Sequence, residues 1–118
     1  MSNVMDLFSL NGRTAVITGA TRGIGQSLAL ACAEAGSDVV LIQRDFSNTT
    51  TKQEIEKLGR KATIVQANLS SKEDVKGLVK RVLADGHDIN ILINCAGIQR
   101  RHPAEKFPDS DWDEVGFM

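Results

Sequence analysis

The stretch Thr18–Gly25 reads TGATRGIG and constrains what this chain can fold into more than any other. It follows an apolar run, Ala15-Val16-Ile17, with the makings of a buried strand. It opens a run from Ile24 to Ala35 with the makings of a helix. A strand that turns sharply into a helix through Gly19, Gly23 and Gly25 suits the holding of a phosphate. The helix N-terminus offers unpaired N–H groups and a partial positive charge. Glycine lets the backbone turn tightly and lets a ligand approach it closely. The spacing is T-G-x-x-x-G-x-G rather than the common G-x-G-x-x-G. No Lys-Ser or Lys-Thr follows the last glycine, so it is not a P-loop. Three glycines between a strand and a helix point to a dinucleotide site.

The rest of the chain supplies the sheet such a loop needs. Arg13 to Thr18 reads as a first strand, and Met5 to Leu10 as an apolar lead-in expected to pack under it. The helix after the loop carries Ile24, Leu28, Cys32 and Ala35 near one face, with Gly36 as its stop. Val39 to Ile42 is a continuous apolar run, as in a parallel strand buried on both faces. A polar cluster, Ser47 to Thr51, precedes a short helix with Ile55 and Leu58 expected inward and Gly59 ending it. Ala62 to Val65 reads as a third strand. Ser70-x-x-Glu73 reads as a capping box. Behind it, Val75, Leu78, Val79, Val82 and Leu83 form an i, i+3, i+4, i+7, i+8 stripe closed by Gly86. Ile89 to Ile93 reads as a fourth strand. Ile98 to Asp111 reads as polar loop, and Trp112 to Met118 as the start of a helix.

Four alternations of strand and helix define an α/β chain. The expected architecture is a Rossmann-type doubly wound parallel sheet of four strands in the order 3-2-1-4, incomplete, within a single partial dinucleotide-binding domain over residues 1–118. Its first two helices would cover one face and the capping-box helix the other. The glycine loop would then lie at the carboxyl ends of the strands, where the strand order reverses and ligands bind.

In such a site the end of the second strand reads the adenosine ribose: an acid bonds a free 2′-hydroxyl, and an arginine pairs with a 2′-phosphate. Gln43 and Arg44 stand there, followed by Asp45. Gln43 offers no charge, Arg44 can pair with phosphate, and Arg22 within the loop adds a second positive charge. The expected cofactor is NADP, with NAD the alternative.

The T-G-x-x-x-G-x-G loop resembles that of the short-chain dehydrogenase/reductase family. Two further segments extend the resemblance. Asn68-Leu69 stands where these enzymes usually carry Asp-Leu, whose carboxylate accepts from the adenine amino group. Asn94-Cys95-Ala96-Gly97 is similar to the family's N-N-A-G motif, with Cys95 replacing the second Asn. The resemblance implies a cofactor site made of Gly19, Thr21, Arg22, Gly23, Ile24, Gly25, Arg44, Asn68, Leu69, Asn94, Ala96 and Gly97. After Gly97, Ile98-Gln99-Arg100-Arg101-His102-Pro103, Phe107-Pro108 and Trp112-Asp113-Glu114-Val115 resemble the gluconate 5-dehydrogenase and 2-deoxygluconate 3-dehydrogenase branch, as does the lead-in Asp6 to Leu10. Members of that branch interconvert a sugar-acid hydroxyl and a ketone. Arg100 and Arg101 are candidates to hold a substrate carboxylate.

The resemblance also exposes a gap. The family's chemistry needs a Tyr-x-x-x-Lys pair and a Ser, and this chain contains no Tyr. His102 and Lys106 are titratable substitutes, but their spacing offers neither an orienting partner. The expectation is therefore the amino-terminal half of such an enzyme, inactive by itself and with no catalytic residue of its own. The alternative is a non-catalytic nucleotide-binding or interaction module. A methyltransferase is disfavoured, because a ribose diol would want an acid where Gln43 stands.

Charge and composition narrow the partners. A net charge of −1 gives no reason to expect nucleic acid or an anionic membrane. Cys32 and Cys95 form no C-x-x-C pair and no framework, as in a cytoplasmic protein without a metal. No apolar run reaches the ~20 residues of a membrane helix. The fourth strand becomes an apolar sheet edge without Pro or Lys, so self-association through that edge is expected.

Overall fold

The computed structural model describes residues 3–117. Its sheet contains β1 (Thr14–Thr18), β2 (Asp38–Gln43), β3 (Ala62–Gln66) and β4 (Ile91–Asn94). All pairings are parallel and the order is β3-β2-β1-β4. The helices are α1 (Gly23–Glu34), α2 (Thr50–Lys57), α3 (Lys72–Ala84) and α4 (Asp109–Phe117). The expected α/β class and doubly wound order are therefore present. No helix among the described residues is long and apolar enough to cross a membrane.

Strand side chains alternate between two cores, because successive residues point to opposite faces. Ala15, Ile17, Val39 and Leu41 pack with Ala29 and Ala33 of α1 and Ile55 of α2. Val16, Val40, Ile42 and Val65 pack with Val82 of α3, flanked by Leu78 and Ile89. Each of the large side chains sealed here contributes about 1.5–3 kcal/mol of burial.

Several local expectations are corrected. The lead-in does not lie under β1: Val4–Phe8 is a 3₁₀ turn, and Phe8 is 70% exposed. Its Asn3 side chain accepts from Met5 N–H while Asp6 accepts from Asn3 N–H, so the turn closes on itself. Leu10 N–H, donating to the Ala35 carbonyl, ties it to the body.

The buried column of α1 is Gly25, Ala29 and Ala33, and Ile24 is 78% exposed. Small residues let the helix start lie directly against the loop, which turns Ile24 outward. In α2, Ile55 is inward as expected, but Leu58 falls at the C-cap and is exposed. The cap of α3 is Ser71, whose hydroxyl accepts from Asp74 N–H, rather than Ser70. Only part of the α3 stripe reaches the sheet, since Val75, Val79 and Leu83 are exposed.

β4 is shorter than expected. Asn90 precedes it with its side-chain carbonyl accepting from Thr14 N–H, so Ile89 lies before the ladder. The region after β4 is not all loop: Ala104–Lys106 is a 3₁₀ turn and α4 already begins at Asp109. Helix continues through Gly116 and Phe117; Met118 lies outside the described residues.

Candidate dinucleotide site

The glycine loop joins β1 to α1 at the carboxyl end of the sheet. Gly19 sits at φ +66°, and a Cβ there would lie 2.7 Å from the Ala96 nitrogen. A Cβ on Gly25 would collide with the Gly19 carbonyl oxygen. These two glycines thus let the segment after β4 and the first turn of α1 close onto the loop. Gly23, at φ +60°, has nothing within 4 Å of its Cβ position, which leaves its backbone open to a ligand.

Two threonines brace the loop. Thr18 Oγ1 accepts from the N–H groups of Cys95 and Ala96, both at 3.1 Å. Thr51, buried at the start of α2, donates to the Ala20 carbonyl at 2.7 Å and accepts from Gln26 Nε2 at 3.1 Å. Neither contact is visible in local spacing: from the sequence, Thr18 opens the loop and Thr51 belongs to a polar cluster, without these partners.

Arg22 is the N-cap of α1, in extended backbone, with no side-chain cap hydrogen bond, and the first turn holds no acid. Its N–H groups and partial positive charge are therefore available to an anion.

A groove of about 800 Å³ runs across this end of the sheet. Thr21, Arg22, Gly23, Ile24 and Gly25 line it beside Gly19, and Ala96 and Gly97 form its wall after β4. Arg44, Asn68 and Leu69 line its far end. Asn94 does not line it: as the last residue of β4 it is in register with Thr18. Cys95 lines the groove although the motif reading passed over it.

Gln43, 5% exposed at the end of β2, donates from Nε2 to the carbonyls of Asp45 and Asn48, each at 2.7 Å. Its Oε1 is buried with no partner among the described residues. Arg44 is exposed, and among the described residues no ion pair engages it. Asp45 turns instead to Ser47: the Ser47 hydroxyl donates to Oδ1 at 2.6 Å and its backbone N–H at 2.9 Å. These bonds hold the Asp45 carboxyl below its ordinary value, the hydroxyl bond contributing most. Asn68 Oδ1, which the resemblance places where the family accepts from the adenine amino group, accepts here from Ser70 N–H at 3.0 Å in a local turn. Its second lone pair remains. Leu69 packs against the second core.

Beyond Gly97 only Ile98 of the arm lines this groove. Arg100 Nη2 donates to Glu114 Oε1 of α4 at 2.7 Å, and neither Arg100 nor Arg101 lines the groove. His102 does have an orienting partner, contrary to the expectation from spacing: Asp111 Oδ2 lies 2.6 Å from its Nε2. The nine-residue gap hid this pair, because the turn at Ala104–Lys106 folds α4 back toward His102. His102, Phe107 and Trp112 meet edge to face in sequence.

The residues present fit a dinucleotide. An uncapped helix start and an open glycine could hold phosphate, and Arg44, in no ion pair among the described residues, lines the other end.

Comparison with known proteins gives the same direction. The family model described as short chain dehydrogenase matches residues 13–116. The chain is 38% identical over 112 residues to 2-dehydro-3-deoxy-D-gluconate 5-dehydrogenase of Escherichia coli K12, covering 95% of this chain and 44% of the relative. It is 42% identical over 111 residues to gluconate 5-dehydrogenase of Gluconobacter oxydans 621H, covering 93% and 43%. A solved gluconate 5-dehydrogenase of Burkholderia cenocepacia J2315, in complex with NADP and tartrate, superposes with a TM-score of 0.87 at 34% identity, covering 98% of this chain and 46% of that one. The chain spans less than half the length of the curated relatives it matches.

Proposed function

This chain belongs to the short-chain dehydrogenase family, and from that premise we propose that it is the NADP(H)-binding half of an oxidoreductase acting on a gluconate-type sugar acid. The observation that carries the reading is the uncapped start of α1, opening through Gly23 onto the groove with Arg44 at its other end. Phosphates of the cofactor are held by the N–H groups of the Gly23–Gly25 turn. Arg44, which pairs with no acid among the described residues, would take the 2′-phosphate, with Arg22 adding charge. Ala96 and Gly97 form a close wall that a larger side chain would fill.

When bound, the nicotinamide supplies the hydride acceptor or donor. Proton transfer to the substrate oxygen in this family needs a tyrosine, and the 118 residues contain none. We propose that these residues alone do not turn over substrate. His102 with Asp111 is an oriented acid–base pair, but it does not line the groove. Arg100 and Arg101 remain proposed holders of a substrate carboxylate; for Arg100 this requires release from Glu114. Unpaired Cys32 and Cys95 support placement in the reducing cytoplasm.

Calorimetric titration with NADP and NAD tests the reading. Tighter binding of NADP, lost preferentially in Arg44→Ala, is expected. Equal affinity for both cofactors, unmoved by that change, would sink the NADP assignment.

A further inference from the structure

We propose that Thr51 positions the glycine loop for the pyrophosphate of a bound dinucleotide, acting through the Ala20 carbonyl rather than by touching the ligand. This rests on the dinucleotide reading and deepens it: Thr51 is not among the residues that line the groove, and the glycine spacing of the loop assigns it no role.

The chemistry of the hydroxyl fixes the direction of its contacts. Thr51 Oγ1 lies 2.7 Å from the Ala20 carbonyl oxygen and 3.1 Å from Gln26 Nε2. A carbonyl only accepts, so the one proton of the hydroxyl goes to Ala20. The Gln26 atom facing Oγ1 must then be a donor, which sets the NH₂ group toward Thr51. The result is a relay from α1 through the start of α2 to the loop, in which each bond polarises the next. Its middle member is held in place. Thr51 is 1% exposed, and its branched side chain is stiff at χ1. Ile55, one turn along the same face of α2, is sealed in the first core.

The other end of the relay controls the loop. Ala20 is buried, and a buried carbonyl left without a donor is costly; Thr51 supplies that donor. The peptide joining Ala20 to Thr21 is planar and trans. Its carbonyl faces Thr51, so the Thr21 N–H points the opposite way, and Thr21 lines the groove. Arg22, the N-cap of α1, and the open Gly23 follow directly. A rotation of the Ala20–Thr21 peptide would carry all three with it. Thr51 thereby ties the phosphate end of the groove to the packed core, while no bond of the relay holds Arg44 at the other end.

Removing the hydroxyl while keeping the shape tests this. ADP carries the pyrophosphate without a 2′-phosphate, and 2′-AMP carries a phosphate for Arg44 without a pyrophosphate. Both are titrated into the wild-type chain, Thr51→Val and Thr51→Ser. Thr51→Val is expected to bind ADP about tenfold more weakly, the effect of one buried hydrogen bond, and to bind 2′-AMP as the wild type does. Thr51→Ser restores the hydroxyl and should recover ADP binding. Parallel weakening of both ligands would show a merely structural threonine and overturn the proposal. Full-strength ADP binding by Thr51→Val, or failure of Thr51→Ser to recover it, would do the same. Should the wild type bind ADP and not 2′-AMP, recovery by Thr51→Ser decides alone. If Thr51→Val does not fold, Gln26→Met decides, because it removes the half-buried member of the relay. A loss confined to ADP is expected there, and equal loss for both ligands or none overturns the inference. Failure of the wild type to bind either NADP or ADP would overturn the dinucleotide reading itself, and this proposal with it.

Discussion

Against one face of the sheet, Ala29, Ala33 and Ile55 are sealed and Thr51 hydrogen-bonds across to the loop. Against the other, Val82 is the buried residue of α3, while Val75, Val79 and Leu83 stand in solvent beside a 63% exposed Leu92. The strands feeding both faces are the same, with similar β-branched and aliphatic side chains. What differs is the covering layer: two helices braced by buried polar bonds on one side, one helix on the other. The arm carrying α4 folds on itself through the exposed pairs Arg100–Glu114 and His102–Asp111, and Lys72 of α3 lies over its Phe117 ring. Exposed ion pairs are worth about 0–1 kcal/mol, well short of a packed layer. The comparison teaches that the braced glycine loop and the better-packed core sit together on the α1/α2 side, while the β4/α3 side leaves apolar surface exposed.

The sharpest way to break this comparison is Gly25→Val. Its side chain would collide with the Gly19 carbonyl, so nucleotide binding should vanish and the unfolding transition should weaken by several kcal/mol, as for severe core defects. Full-strength binding by a normally folded variant would move the site elsewhere. Gly19→Val should act similarly through Ala96 and Cys95.

Next in size is association through the open side. We propose that β4, paired to β1 on one edge and to no described strand on the other, joins a second copy of the chain. Sedimentation velocity should show concentration-dependent dimer or larger species, and Leu92→Lys should shift the population to monomer. A wild-type monomer that unfolds cooperatively and binds no hydrophobic dye would show that the α3 face needs no cover.

A smaller effect of opposite sign comes from Gly77→Ala. Gly77 lies within α3, and its Cβ position meets nothing within 4 Å. Replacing a helical glycine there should stabilise the chain by about 0.5–1 kcal/mol, read from the urea midpoint. Destabilisation would mean that α3 is already tightly covered.

The smallest effect is at Asp45. Its folded pKa is depressed, so its bonds to Ser47 stabilise the loop above the unfolded-chain value of about 3.9 and are lost as pH falls through the folded value. Carboxyl NMR should show Asp45 titrating below free aspartate, and Ser47→Ala, which keeps the backbone N–H bond, should move it part of the way back. No change in Ser47→Ala would remove the Ser47 hydroxyl as the main cause.

Much of this molecule was legible before folding was considered. The strands Val39–Ile42 and Ala62–Val65, the helix stop at Gly36 and the strand order rest on rules that act within a few residues or on connection length. TGATRGIG located the groove because only glycine tolerates the close contacts made at Gly19 and Gly25. The family motifs then named most of the lining, from Thr21 to Gly97.

The sequence by itself determined the alternation of elements, the handed layering that yields β3-β2-β1-β4, and the glycine positions of the loop, since periodicity, positive φ and crossover rules are written in neighbouring residues. Tertiary structure decided which side chain each polar group meets. Thr18 reaches Cys95 across 77 positions, Thr51 reaches Ala20 across 31, and His102 finds Asp111 through an intervening turn. It decided that small residues rather than Ile24 face the sheet, and that the lead-in closes on itself instead of packing under β1. It also turned the Gln43 amide onto the carbonyls of Asp45 and Asn48. A hydrogen bond forms between groups that the fold brings within about 3 Å, and no local pattern records which distant partner that will be.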